Sequence, residues 1–424
     1  MIDANLIREN PAAAKTAIAA KKREPKLVDK FLRLDENWRN RTTALNQLKA
    51  EQNSLSASLA KSQPPDLLTR AKILKERIAI LEKEAGEFDQ KRRDVWLQLP
   101  NFPLATVPVG ASDQDNKVIR EWGVKPDFDF PPTDYLTIGE NLDIIDVKRA
   151  AKVSGARFGY LKNEAALLEM ALVKFVFDSL RPAGFEIILP PVLIKKEMMK
   201  GMGYVDVKAD RDETYFLNKD DLYLIGTAEQ ALGPYRAGEI LDEKELPKRY
   251  VAFSPSFRRE AGSYGKDTKG ILRVHQFDKV EMFSLVKPED SVKEHAYILD
   301  WAEKLMQALV LPYRVLEICT ADLGQTAAAK FDIEAWLPGQ EEYRETHSVS
   351  NVTDFQTRRL NIRYQPAGNG GSGPVFVHAL NGTAFAIGRT LIALLENYQN
   401  KDGSVRVPEV LRNYAGFDVI KNKK

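Results

Sequence analysis

The stretch FRREAGSYGKDTKGILRVHQFDKVEMF, residues 257–283, reads as two β-capable runs joined by a loop rich in glycine, lysine and aspartate, with Arg258, Glu260, Phe277 and Glu281 expected on the paired strands. Three further segments set polar groups in apolar, strand-like surroundings: YLIGTAEQAL (223–232), EEYRETHSVSN (341–351) and HALNGTAFAIGRTL (378–391). A lone arginine or glutamate in any one of them is most simply a surface ion pair. All four together resist that explanation. Burying Arg258, Glu260, Glu281, Glu345 and Arg389 on one sheet costs several kcal/mol per ion unless each is paired or meets a charged ligand, so the sequence predicts a deep polar cleft.

The chain carries neither a Walker-type phosphate loop nor a dinucleotide-binding glycine fingerprint, and no serine or cysteine nucleophile pairs recognisably with a histidine. Its four histidines, His275, His295, His347 and His378, lack metal-ligand spacing, which argues against metal-hydrolase chemistry. If phosphate is handled, arginines must do it.

The elements that would hold these groups differ sharply between the two ends of the chain. Residues 31–61 place Phe31, Leu34, Trp38, Leu45, Leu48, Leu55 and Leu59 at alternating steps of three and four, with Arg41 and Gln52 in the remaining seam positions. After KSQPPD the pattern resumes through Leu67, Ala71, Leu74, Ile78, Leu81, Ala85, Phe88, Arg92, Val95 and Leu99, and Pro100 ends it. Two helices of some thirty residues joined by a short turn must lie antiparallel, a rod about 45–50 Å long. The 14 Lys/Arg against 11 Asp/Glu between residues 27 and 99 give a weak excess of +3. Taken alone, such a hairpin is a solvated rod or a dimerisation element, with a nucleic-acid arm as the second possibility. From PNFPLATVPVGASDQDN to about residue 135 the chain reads as a connector rich in Pro, Gly and Asp. Beyond it come an amphipathic helix from Asn163, many short strands between residues 185 and 390, and helices at SVKEHAYILDWAEKLMQAL and TAFAIGRTLIALLENY. That order implies an α+β fold with a mainly antiparallel sheet.

With 424 residues, 44% of them hydrophobic, the chain is long enough for two domains. Its 62 basic and 60 acidic side chains nearly cancel, so any polyanionic partner must be met by a local patch. The single cysteine, Cys319, excludes an internal disulfide and reads as a small buried hydrophobe. The N-terminus lacks the apolar core of a signal peptide and no run approaches the ~20 apolar residues of a membrane span, so a cytoplasmic protein with no membrane partner is expected.

On these residues the chain resembles the class II aminoacyl-tRNA synthetases. Residues 257–283 look like their motif 2, NGTAFAIGRTL like motif 3, and Pro191 after FEIIL like the proline closing motif 1. Within the class, TAE, FRREAGSYGKDTKG, HQFDKVEM, NVTDFQTRR and PEVLRNY stand in the order and spacing of the bacterial-type seryl-tRNA synthetase family, and the likeness spans nearly the whole chain, from LIRENP onward. The resemblance implies an N-terminal tRNA-binding domain over residues 1–100 with a helical hairpin over about 27–99, a connector over 101–135, and a class II catalytic domain over 136–424. It also implies a homodimer through motif 1. The implied reaction joins L-serine to ATP as seryl-adenylate, then moves serine to the 3′ end of tRNA(Ser), and of tRNA(Sec) where that exists.

That chemistry brings two anions together and needs preformed cations more than a nucleophile. By resemblance, Arg258 would bridge the serine carboxylate and the α-phosphate, and Arg389 would hold the γ-phosphate; these two are the implied catalytic residues. Serine would meet Thr227, Ala228, Glu229, Arg258, Glu281 and Thr383. ATP would meet Arg258, Arg259, Glu260, Arg273, Phe277, Glu345, Thr346, His347, Ser348 and Arg389, with Mg²⁺ on Glu345 and Ser348. The loop from Gly262 to Gly270, with Lys266 and Lys269, would meet the acceptor end of tRNA, and Lys49, Lys61, Arg70, Lys72, Lys75 and Arg77 would serve the helical arm. No zinc is expected, because Cys319 lies outside the pocket segments. Two departures stand out: Thr383 where many relatives carry serine, and ETHSVSN where EISSCSN is commoner. The second sets His347 beside Ser348, unless that ring simply turns outward. A homologue that loads a carrier protein would lack the arm, and a non-catalytic paralogue would have lost Arg258, Glu260 or Arg389; this chain keeps all four features.

Overall fold

The computed structural model describes residues 1–60, 62, 64–261, 269–367 and 373–422. They form two compact units, residues 1–102 and 103–424.

The first unit is helical: α1 (Ala4–Glu9), α2 (Pro11–Ala20), α3 (Lys26–Leu59) and α4 (Pro65–Gln98). Asp3 and Asn10 cap the two short helices through their side-chain oxygens, at 2.8 Å from the Asn5 amide and 3.0 Å from the Ala13 amide. The 34 residues of each long helix correspond to about 50 Å. Ion pairs Asp35–Arg92, Arg41–Glu84, Lys49–Glu82 and Glu51–Arg70 run down α3 and α4 in opposite order, which fixes them as antiparallel. Leu45, Leu48, Leu55, Leu59, Leu67, Ala71, Leu74 and Ile78 fill the outer seam. The two arginines on the heptad pattern lie against aromatics: Arg41 sits 4.2 Å over Phe88, and Arg92 3.8 Å over Trp38. Near the start of the hairpin Asp35 is 0% exposed and accepts hydrogen bonds from Arg8 at 2.7 and 2.8 Å, Arg39 at 3.0 Å and Arg92 at 3.2 Å.

The second unit is built on an eight-stranded sheet. Its strands are β1 (Lys117–Trp122), β2 (Glu186–Ile188), β3 (Lys248–Phe257), β4 (Gln276–Val286), β5 (Tyr313–Glu317), β6 (Ala329–Leu337), β7 (Glu342–Asn351) and β8 (His378–Ala386). The order is β1-β5-β6-β7-β8-β4-β3-β2, antiparallel throughout except where β2 runs parallel to β3. Helices α5 (Asn163–Leu180), α7 (Ser291–Ala308) and α9 (Ile387–Asn397) contribute to the main core, where Leu172, Val176, Ile298 and Leu391 join Val280 and Met282 of β4. The alternate residues of β4 leave the opposite face, where Phe283 and Leu285 join a second apolar cluster and Phe277, Lys279 and Glu281 line a cavity.

Three expectations shift. Strand β3 stops at Phe257, so Arg258 and Glu260 lie on the irregular segment that follows it, Glu260 with φ +50°. Residues 383–386, expected to begin a helix, continue β8 because Thr383 is claimed by Glu281 across the ladder, and the helix begins only at Ile387. Within the presumed connector, residues 117–122 form an edge strand of the sheet, paired with β5.

Candidate active site

The sheet, the segment after β3 and the first turn of α9 together enclose a cavity of about 380 Å³. Strand geometry places most of its wall. On β4, Phe277, Lys279 and Glu281 follow at every second residue. Thr383 of β8 stands opposite Glu281 and donates its hydroxyl to Glu281 Oε2 at 3.3 Å. On β7, simple alternation would put Glu345 and Thr346 on opposite faces. A register shift against β6, where Ile333 pairs with His347 but Glu334 with Glu345, inserts Thr346 as an extra residue, and Glu345, Thr346 and Ser348 all reach the cavity.

Arginines approach from two sides. Arg258 Nε donates to the Gly226 carbonyl at 3.1 Å, with its guanidinium 5.3 Å from the Phe277 ring. Arg389 Nη1 donates to the Glu345 carbonyl at 2.8 Å and lies 3.4 Å from Glu345 Oε1. Glu260 Oε2 accepts from Arg273 Nε at 2.5 Å. The Glu345 side chain is 51% exposed but stands in the cavity; desolvation there alone would raise its carboxyl, but Arg389, then Lys330, Arg258 and Lys279 outweigh it and hold the group below the usual carboxylate range.

Glu229 is 3% exposed, on the short helix α6 (Glu229–Leu232). Its two oxygens accept from Tyr204 Oη and from Gln356 Nε2 of α8 (Phe355–Leu360), each at 2.8 Å. Burial pushes this carboxyl up, against the two hydrogen bonds that support its charged form. A carboxylate so enclosed would welcome a cationic ligand group.

Of the residues singled out by sequence, Thr227, Glu229, Arg258, Glu260, Arg273, Phe277, Glu281, Glu345, Thr346, Ser348, Thr383 and Arg389 line this one cavity. Three do not. Ala228 is buried in the neighbouring apolar cluster, and Arg259 is exposed with its guanidinium 5.4 Å from the Tyr215 ring. His347 is 1% exposed, sits edge-on to Phe385 at 5.9 Å, and has Nε2 2.9 Å from the Ala384 carbonyl and Nδ1 2.8 Å from Thr346 Oγ1. Its ring turns neither outward nor toward the cavity, because it alternates in regular register with Ser348, which takes the cavity face, and burial holds it neutral by lowering its pKa to about 4. Lys266 and the loop 262–268, like Lys61 of the arm, lie outside the described residues.

Sequence reasoning missed Lys279, Asn381, Tyr204, Lys330 and Gln356. The first two were recoverable: they stand two residues from Glu281 and Thr383 on strands already identified. Tyr204 and Gln356 arrive from separate segments, and no local pattern marks them.

Glu345 and Ser348 present the hard oxygen donors that a divalent cation prefers. Directly across the ladder from Ser348, Asp332 has its Oδ1 buried without a hydrogen-bond partner. The residues present therefore suit such an ion, although no group of three or more His, Cys, Asp or Glu clusters at metal distance among the described residues.

Comparison with known proteins gives the class first. The family model of the tRNA synthetase class II core domain (G, H, P, S and T) matches residues 214–398. The model of the seryl-tRNA synthetase N-terminal domain matches residues 1–103. The serine–tRNA ligase of Acidothermus cellulolyticus is 46% identical over 427 residues, covering all of both chains, and that of Dictyoglomus turgidum is 45% identical over 430 residues, also covering all of both. The crystal structure of seryl-tRNA synthetase from Pyrococcus horikoshii complexed with ATP superposes with a TM-score of 0.93 at 41% identity, again covering the whole of both chains. The chain belongs to the seryl-tRNA synthetase family.

Proposed function

We infer that the chain activates L-serine with ATP and esterifies the 3′ end of tRNA(Ser), and of tRNA(Sec) where it is present. In the first step a serine carboxylate oxygen bonds to the α-phosphorus while the bond to the β-phosphate oxygen breaks and pyrophosphate leaves. In the second, a terminal ribose hydroxyl attacks the seryl carbonyl, AMP departs, and the hydroxyl proton goes to solvent or phosphate.

The observation that carries this reading is that Arg258 and Arg389 line one cavity together with the Glu281–Thr383 pair, in a chain 46% identical end to end to a serine–tRNA ligase. An arginine fork can hold a carboxylate and a phosphate oxygen at once, offsetting the repulsion that dominates the barrier. Arg258 takes that bridging place and Arg389 the γ-phosphate. The Phe277 ring offers its face to adenine, and Glu260 an acceptor for the exocyclic amine. Glu229, with Thr227, faces the serine ammonium. Glu281 and Thr383 read the hydroxyl, and a site built to hydrogen-bond a hydroxyl rejects analogues without it by ~10⁴–10⁵. Glu345 and Ser348 would hold Mg²⁺, which when bound would neutralise phosphate charge and orient the triphosphate.

Recognition of tRNA falls to the arm and to the motif 2 loop. Among the arm's cations Lys49 and Arg70 are engaged by Glu82 and Glu51, whereas Lys72, Lys75 and Arg77 are exposed with no ion pair among the described residues. These three are the better candidates for phosphate contacts. Homodimerisation through motif 1 is supported by the exposed Leu167 and Met170 of α5 and by Leu189 beyond β2. The working compartment is the cytoplasm; among the described residues no helix is long and apolar enough to cross a membrane.

The test is charging of a tRNA(Ser) transcript with radiolabelled serine by the full chain and by a variant lacking residues 31–99. The full chain charges it. The deletion loses at least 100-fold in charging but stays within about threefold in serine-dependent pyrophosphate exchange. A deletion that abolishes exchange as well would refute the division of labour between the units.

A further inference from the structure

Between the residue assigned to adenine and the residue assigned to the serine hydroxyl stands a cation that the reaction scheme above leaves unused. Lys279 follows Phe277 by two residues on β4 and precedes Glu281 by two, so the three side chains leave one sheet face at intervals of about 6.6 Å. Lys279 is 7% exposed and Glu281 2%, and both border the cavity. Lys279 Nζ lies 2.6 Å from Glu281 Oε2, the same oxygen that accepts the Thr383 hydroxyl at 3.3 Å.

Glu281 has one charge-compensating partner among the described residues. Arg258 spends its Nε on Gly226, and Arg389 lies against Glu345. Among the described residues only Lys279 forms an ion pair with Glu281. A carboxylate this deeply buried is stabilised only if paired, and Thr383 brings a neutral hydroxyl. With Oε2 taken twice, Oε1 is the oxygen left for a ligand.

Resting on the proposed serine site, we propose that Lys279 is a positioning residue for substrate selection: its ammonium pins Glu281 Oε2 so that Oε1 stays oriented to accept the hydroxyl hydrogen bond of serine. The lysine touches neither ATP nor the reacting atoms. It acts on selection through Glu281, the one carboxylate it touches; the weaker field it adds at Glu229 and Glu345 is felt alike by amino acids with and without a hydroxyl.

The experiment measures pyrophosphate exchange by the full-length protein, varying serine at saturating ATP and ATP at saturating serine. The variants are Lys279→Met, Lys279→Arg, Glu281→Gln and the double variant Lys279→Met/Glu281→Gln. For Lys279→Met the KM for serine rises at least tenfold and the KM for ATP stays within about threefold. The kcat/KM for alanine, slow in every form, also stays within threefold, so the serine-to-alanine preference drops by tenfold or more. Lys279→Arg recovers part of the serine KM. Adding Lys279→Met to Glu281→Gln changes kcat/KM for serine by less than threefold, because the lock has nothing left to hold. Equal losses for serine and alanine, a raised KM for ATP, or additive effects in the double variant would overturn the proposal; the ATP effect would instead make Lys279 a phosphate ligand. If the wild-type protein shows no serine-dependent exchange, the serine site itself is wrong, which is a separate failure. Should Lys279→Met fold poorly, the comparison of Lys279→Arg with wild type and the wild-type serine-to-alanine ratio still decide, since an arginine that leaves serine KM untouched while changing ATP KM contradicts the lock.

Discussion

Replacing Arg258 by alanine should abolish activation while leaving the fold nearly unchanged, and the structure indicates by how much. The main chain at this position is held without the guanidinium: the Arg258 amide donates to the His275 carbonyl at 3.0 Å, and His275 Nδ1 lies 3.1 Å from the Arg258 carbonyl. Of the guanidinium nitrogens only Nε has a hydrogen-bond partner among the described residues, the Gly226 carbonyl. Truncation therefore costs roughly 1 kcal/mol of stability, the net worth of one such bond. The loss in rate is far larger. Removing a single donor aimed at developing charge lowers kcat by about 10²–10³, or about 2.7–4 kcal/mol, and an arginine that spans both reacting anions belongs at or beyond the upper end. Lysine restores the charge without the planar fork and recovers about tenfold at most. The assay is pyrophosphate exchange at saturating serine and ATP, with thermal unfolding of each variant as the control for folding. A folded Arg258→Ala that retains more than a tenth of wild-type exchange would refute the bridging role.

Two further predictions concern the scaffold. Asp35→Asn keeps the shape of the buried acid but strips Arg8 and Arg39 of their carboxylate and leaves Arg92 with Asp89 alone; breaking a buried pair costs about 3–5 kcal/mol, so amides in the 26–40 and 85–98 segments should exchange at least 100-fold faster by hydrogen-exchange mass spectrometry, and a change under fivefold would contradict the clasp. Burial raises the Asp35 carboxyl but Arg8 and then Arg92 outweigh it and hold its pKa down; the stability it contributes is thus present above the unfolded value near 3.9 and lost as pH falls through the lower folded value. In the second unit, burial lowers both His295 and His347 from 6.5 to about 4. A base depressed on folding contributes stability that is complete above about pH 6.5 and disappears as pH falls toward 4, roughly 3 kcal/mol for each ring. Urea midpoints at pH 7.5, 5.5 and 4.5 should decline accordingly, and the decline should shrink when His347 is replaced by methionine; a flat profile would show the rings to be accessible.

What could be read from the sequence followed from periodicity. The heptads of α3 and α4 and the every-second-residue placement of Phe277 and Glu281 belong to repeating geometries, so their faces could be assigned without coordinates. Breaks in those geometries could not. The extra residue at Thr346 puts Glu345 and His347, which strict alternation would place together, on opposite faces, and nothing in ETHSVSN marks where the register slips. Thr383–Ala386 are helix-compatible residues kept in a strand by the ladder to Glu281 and its neighbours, a tertiary override of local preference. The edge strand at residues 117–122 hid in a segment whose Pro, Gly and Asp content suggested a linker. Tyr204 and Gln356, which together satisfy the buried Glu229, converge from positions 152 residues apart by number, beyond the reach of any local signal.

The central claim is that one cavity, braced by Arg258 and Arg389, joins serine to ATP. Exchange of labelled pyrophosphate into ATP by the wild-type protein, measured with serine, threonine, alanine and glycine in parallel, tests it most directly. Rapid exchange with serine, and rates lower by at least 10³ with the other three, is the expected result. Exchange that is absent with serine, or equal with alanine, would contradict it.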